Sequence, residues 1–236
     1  MRDIISANQF KIAATLAVIP LVILHCLFSE KASAVADYTG EKIIYTIEPA
    51  GRAEYSDLGF VDLKGKKVRL IIFKTHALGF DDTEKIYADA NTLLPLRIER
   101  DVAMWLGKEY IVEEYDQKNF KLTITKFKNK KKVKEYIFKE NGPIHNAILL
   151  PFYLRSIPDL LVGWSIDARF PKKFKIKLIS IEKIEVPAGE FMAYRFTSAP
   201  HKFEIWISRN DPHVPLRIKG AGGLPYTLNM QERVLK

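Results

Sequence analysis

From Glu41 onward the chain is written in short runs of alternating apolar and polar residues, and nothing else in it constrains the fold as strongly. Ile43, Tyr45 and Ile47 share one parity, while Lys42, Thr46 and Glu48 share the other. In Phe120-Lys121-Leu122-Thr123-Ile124-Thr125 the alternation is strict. A period of two sends the two sets to opposite sides of a pleated strand, so these runs predict a sheet with one dry and one wet face. Polar turns separate them, among them Lys64-Gly65-Lys66-Lys67, Asp116-Gln117-Lys118-Asn119 and Lys128-Asn129-Lys130-Lys131-Lys132. Gly79-Phe80-Asp81-Asp82 reads as the turn that ends the run before it. About a dozen strands in hairpin order throughout argue a mainly-β chain, a single antiparallel curved sheet forming a barrel or half-barrel.

One element recurs. Leu94-Pro95-Leu96-Arg97-Ile98 returns as Val214-Pro215-Leu216-Arg217-Ile218, 120 positions later. Each copy follows an apolar run and a polar turn (Asp89 to Thr92, then Asn210 to His213). Proline tolerates the start of a strand and not its middle, so both copies read as the second arm of a hairpin. One helix is expected over 146–157, with Asn146 as N-cap and Ala147, Leu150, Leu154 and Ile157 at helical spacing. Pro151 either breaks its first turns or marks its true start. With one short helix and no linker, residues 37–236 read as one domain.

Residues 1–36 differ. Positions 12–28 are apolar and carry no Asp, Glu, Lys or Arg; Arg2 and Lys11 precede them, and Ala32-Ser33-Ala34-Val35-Ala36 follows. This is the layout of a signal peptide, cut after Ala34 or Ala36, with an uncleaved N-terminal anchor as the other reading. The expected compartment is the periplasm. Cys26, the single cysteine, lies in the apolar run, so a cleaved protein keeps no thiol and no Cys-ligated metal. The formal charge is +9, most of it beyond the N-terminal segment. With 47% hydrophobic residues the chain is no disordered polyelectrolyte.

Motifs for chemistry are absent. No G-x-S-x-G elbow, P-loop or dinucleotide fingerprint occurs, and no histidine has a second ligand at metal spacing. Glu113-Glu114 and Asp81-Asp82 are sequence neighbours, so on a strand they face opposite sides. No cofactor, metal or catalytic residue is expected. The lysine-rich stretches 128–134 and 172–177 suit an anionic membrane surface, or blunt a sheet edge; in an exported protein nucleic acid is not the expected partner. The apolar set Leu149, Leu150, Phe152 and Tyr153, with Trp164, is either core or the lining of a lipid-sized cavity. Arg97 and Arg217, equivalent in the two copies, suit an anionic head group or a cross-strand ion pair.

Tyr87 to Arg97, Val186-Pro187-Ala188-Gly189-Glu190-Phe191, Glu204 to Ser208 running on to Pro215-Leu216-Arg217-Ile218, and Asn141 to Arg155 resemble the exported bacterial family DUF-3108. The likeness extends from about Gly40 to Arg233; Pro151 departs from the family's uninterrupted helix. It implies an exported β-rich protein without established activity. More distantly, the hairpin-after-hairpin layout looks like the periplasmic half-barrels LolA, LolB and RseB, which hold acyl chains or lipid-like ligands. The expected role is non-catalytic binding of a hydrophobic or amphipathic ligand such as a lipid or acyl group. The alternatives are a module docking another envelope protein, and a hydrolase of envelope glycans or lipids.

Overall fold

The computed structural model describes residues 37–105, 107–220 and 226–235. The apolar N-terminal run, its two cut positions, Cys26 and Ala221-Gly222-Gly223 lie outside them. The described strands are β1 (Glu41–Glu48), β2 (Gly51–Leu63), β3 (Lys66–Ala77), β4 (Phe80–Asp89), β5 (Pro95–Met104), β6 (Gly107–Asp116), β7 (Lys121–Lys128) and β8 (Lys131–Lys139). After the helix α1 (Leu150–Leu154) come β9 (Ser165–Phe170), β10 (Lys172–Val186), β11 (Gly189–Ala199), β12 (Phe203–Ser208), β13 (Pro215–Gly220) and β14 (Tyr226–Leu235). Every strand expected from the alternation is present.

All strands join one antiparallel sheet in the order β8-β7-β6-β5-β4-β3-β2-β1-β14-β13-β12-β11-β10-β9. Hairpin order therefore does not run throughout. β1 pairs with β14, and β8 and β9, successive in the chain, lie at opposite edges. The sheet is open, and the segment from Glu140 to Trp164 makes the crossing between its edges. The reason is visible in that segment: Asn141-Gly142-Pro143 and a helix stand where a two-residue turn would be needed to pair β8 with β9.

The two copies of the proline element fold alike. Pro95 and Pro215 begin β5 and β13, and in each hairpin the register slips by one, between Tyr87 and Ala88 and between Trp206 and Ile207. The slip is a β-bulge with Leu96 or Leu216 as the extra residue, which raises the local twist. It sets Arg97 opposite Tyr87 and Arg217 opposite Trp206. Each turn also holds one residue in the left-handed region, Leu93 (φ 54°) and His213 (φ 53°). A further correction concerns the β3–β4 turn. Only Leu78 and Gly79 (φ +67°) make it, and Phe80-Asp81-Asp82 already belong to β4, because glycine permits a turn this tight.

The helix is shorter than 146–157. Asn146 organises the turn before it: its side-chain oxygen accepts the Ile148 and Leu149 N–H groups at 2.8 and 3.1 Å, and its carbonyl accepts Leu150 N–H at 3.0 Å. Pro151 stands in the first turn of α1, where its missing N–H costs nothing. Three-residue turns close the other end, Ser156 N–H reaching Tyr153 O and Ile157 N–H reaching Leu154 O. Pro158 follows, and a residue before proline disfavours the helical region.

This short segment joins two apolar clusters. Leu149 and Phe152 pack into the larger, with Ile43, Tyr55, Ile71 and Ile98; Leu150 and Leu154 pack into the smaller, with Leu178, Phe196 and Ile205. The Phe152 ring stacks on Tyr55 with centroids 3.6 Å apart. Arg155 follows at the end of the helix, its Nη1 donating to Glu41 at 2.8 Å with both side chains 0% exposed. The Arg155 guanidinium lies 3.3 Å from the centre of the Tyr38 ring, and Arg233 Nε closes on the other Glu41 oxygen at 2.7 Å. Phe152→Ala removes a stacked ring from the core and is expected to cost about 3–5 kcal/mol. Arg155→Met leaves Glu41 with Arg233 alone and should cost about 2–4 kcal/mol. Urea unfolding monitored by circular dichroism measures both.

Candidate functional site

Among the described residues, the groups that sequence reasoning singled out or missed form three sets, which the fold places differently. The first is the helix and its surroundings. Leu149, Leu150 and Phe152 are buried in the core, while Tyr153 and Trp164 are half-buried. Trp164 lies edge-on to Phe196, with centroids 6.2 Å apart. The hollow bordered by Leu93, Leu94, His145, Asn146, Leu149 and Tyr153 has a volume of about 10 Å³, room for one water at most. His145 is held here by the β9 edge: its N–H donates to Arg169 O at 2.8 Å, and Arg169 N–H donates to its Nδ1 at 3.3 Å. Burial pushes the imidazole down to about 4, so it stands neutral.

Arg97 and Arg217, the second set, do not converge. Arg97 binds Glu99 at 2.8 Å and its cross-strand neighbour Glu114 at 2.7 Å. Arg217 donates to Asn229 Oδ1 at 2.6 Å and to Glu185 O at 2.5 Å. Each guanidinium is thus engaged within the sheet.

A charged cluster on the inner face of β4, β5 and β6 is the third set, and no motif announced it. Arg100 bonds Asp82 and lies 3.6 Å from Glu84 and 3.9 Å from Glu113. Tyr115 donates its hydroxyl to Glu113 at 2.5 Å. The adjacent acids do split as a strand requires: Asp82 and Glu113 face Arg100, whereas Asp81 bonds His76 and Glu114 bonds Arg97. Burial, reinforced by repulsion from Asp82 and Glu113 and opposed by Arg100, pushes the Glu84 carboxyl up to about 8. The cluster holds three carboxylates for one cation, and a proton on Glu84 relieves the excess. No signal in the sequence could give this, because it needs the register Glu84 opposite Arg100 and Ile98 opposite Glu113.

Outside the sheet, an open cleft of about 360 Å³ lies between the β5–β6 and β7–β8 hairpins. Tyr110 and Phe127 form its wall, with ring centroids 5.9 Å apart, and Lys108 and Lys130 stand at its rim. Among the described residues no three His, Cys, Asp or Glu side chains are placed to hold a metal ion. No described helix is long and apolar enough to cross a membrane.

These features define an open antiparallel sheet whose crossing segment fills its interior. The chain belongs to the family "Protein of unknown function (DUF3108)", which matches residues 42–224. Among solved structures, a beta-barrel-like protein of the domain of unknown function DUF1849 from Brucella abortus is similar, with a TM-score of 0.49 and 8% identity. That match covers 83% of this chain and 97% of the other. No curated protein matches the chain.

The titration of Glu84 has a definite sign. Between its ordinary value of 4.5 and about 8, the folded state holds a proton that the unfolded state has released. Stability therefore falls as pH rises through that window. Glu84→Gln lacks this loss, so its stability relative to the wild type should increase by on the order of 2–4 kcal/mol between about pH 5 and pH 8.5. Thermal melts of the two proteins across the window provide the check.

Proposed function

We propose that this is an exported, non-catalytic protein of the cell envelope that works by docking a partner on its surface. The observation that carries this reading is the bare edge of β8. At the other edge, β9 is covered where His145 bonds Arg169, but β8 has no strand beyond it among the described residues. Seven of its nine residues are exposed, including Val133 (57%) and Ile137 (58%). An unpaired strand accepts an extended segment through main-chain hydrogen bonds. Lys131, Lys132, Lys134 and Lys139 against Glu135 alone favour an acidic one. The same lysines discourage a second copy of this basic edge.

A second reading, carriage of a lipid or acyl group, draws support from one specific feature. The seam between the two sheet edges is closed by a crossing segment whose helix has five residues, so its outward movement would expose Leu149, Leu150, Phe152, Tyr153 and Trp164 to a ligand. Arg97 and Arg217 lie on the sheet and would serve either reading only by exchanging their present partners.

Two titrations separate the readings. A fluorescein-labelled peptide alternating valine with glutamate should bind, and Lys131→Glu with Lys134→Glu should weaken it roughly tenfold. A fluorescent fatty acid should show no saturable uptake by the delipidated protein. Peptide binding indifferent to both charge reversals would remove the edge reading, and saturable fatty-acid uptake would favour carriage. Mass spectrometry of protein secreted by its native signal should find Val35 or Asp37 as the first residue.

A further inference from the structure

Antiparallel pairing places the turns after β1, β3, β5 and β7 at one end of the sheet, and those after β2, β4 and β6 at the other. The two ends differ in chemistry. At the second end the turns are polar and closed by aspartates: Asp62 accepts Gly65 N–H, Asp89 accepts those of Asn91 and Thr92, and Asp116 accepts that of Asn119. The first end instead offers Leu78 (79% exposed), Trp105 (86%) and Met104 (44%) to water. These belong to the adjacent β3–β4 and β5–β6 tips, and the tips touch. The Trp105 indole lies across Gly79 so closely that a Cβ there would fall inside the ring. One side of the indole is propped and the remainder stands in solvent. Large apolar side chains gathered at two touching tips are a marked exception to an ordinary polar surface.

The neighbouring β7–β8 tip is cationic. Asn129 and Lys130 (φ 50° and 62°) form its turn, with Lys128 and Lys131 beside them. Lys108, Lys128, Lys130 and Lys131 are exposed and form no ion pair among the described residues. Of the described acids nearby, Glu109 is engaged with Lys126 and Asp81 with His76, which leaves Asp101 in the cleft wall as the one carboxylate set against these four lysines. Blunting a sheet edge would account for these lysines but not for Leu78 and Trp105 on two other hairpins.

We propose that this end of the sheet docks on an anionic lipid bilayer. Leu78, Met104 and Trp105 enter the interfacial layer, where an indole is favoured, and the lysines meet the phosphates. The cleft walled by Tyr110 and Phe127 brings Lys108 and Lys130 to the same level, a seat for a lipid head group. This surface meets the β8 edge only at Lys131, which its test leaves unchanged, so the two proposals stand or fall independently.

The test uses the full chain and two kinds of vesicle: phosphatidylcholine alone, and phosphatidylcholine with an equal part of phosphatidylglycerol. The wild type should sediment with the anionic vesicles. Its tryptophan emission should shift to the blue and be quenched by brominated acyl chains. Trp206 is buried and Trp164 is half-buried against Phe196, so Trp105→Phe should abolish most of the shift. Leu78→Ser with Trp105→Ala should weaken binding at least about tenfold. Lys128→Glu with Lys130→Glu should weaken it about fivefold per lysine, and added salt should do the same. Because every variant keeps the N-terminal apolar run, whose insertion would sediment all of them alike, the deciding readout is emission. A wild-type signal unmoved by vesicles, or a blue shift that Trp105→Phe and the double charge reversal both leave unchanged, would overturn the proposal. An equal shift on neutral and anionic vesicles would overturn it as well.

Discussion

Glu41, at the start of β1 and out of reach of water, holds Arg155 at the end of the crossing segment and Arg233 near the end of β14. That one carboxylate ties β1 to two parts of the chain that lie 114 and 192 residues further on. Burying it is unfavourable alone and tolerable only with both guanidinium groups in place. The pairing of β1 with β14 converts two separate meanders into one sheet, and the docked segment fills the space this sheet encloses. Phe152 on Tyr55 supplies apolar contact at the same point. Specificity comes from charge and bulk from the ring, and neither would seat the segment uniquely by itself.

The inner face is less oily than a strand pattern suggests. Asp57 and Arg69, both about 1% exposed, pair at 2.8 Å, and Arg100 gathers Asp82, Glu84 and Glu113. Such pairs contribute little net stability against hydrophobic replacements, but removing one partner leaves a buried charge. A face studded with them is poorly suited to an acyl chain over much of its extent. Exposed apolar side chains lie instead at the hairpin tips, along β8, at Leu58 of β2 and at Leu161 and Val162 of the crossing segment.

Much of this fold was legible from residue parity and turn chemistry. The strands declared themselves by alternation, and the proline repeat located two hairpins that share a bulge and a left-handed turn residue. Less legible was whatever depends on register or on contacts far apart in sequence. Arg100 and its carboxylates occupy three strands, and only their alignment brings them together. Asp81-Asp82 after Gly79-Phe80 reads as a continuing turn, yet Asp82 is strand, paired opposite Val102, because Leu78 and Gly79 alone complete the turn. The crossing from β8 to β9 was hidden for the same reason, since a polar loop and a helix say nothing about which edge the chain will reach next. The helix residues were identified, but whether they line a cavity or fill one is decided by volume, which no single sequence carries.

The account turns on the crossing segment being a fixed part of the core. Hydrogen–deuterium exchange of the free protein tests this directly at the amides of Leu150, Tyr153 and Arg155, which bond within the segment. Protection comparable to that of β1, β2 and β14 is expected, with the segment opening only when the sheet does. Exchange at loop rates while those strands stay protected would contradict the account and make the segment a lid over an interior ready to receive a ligand.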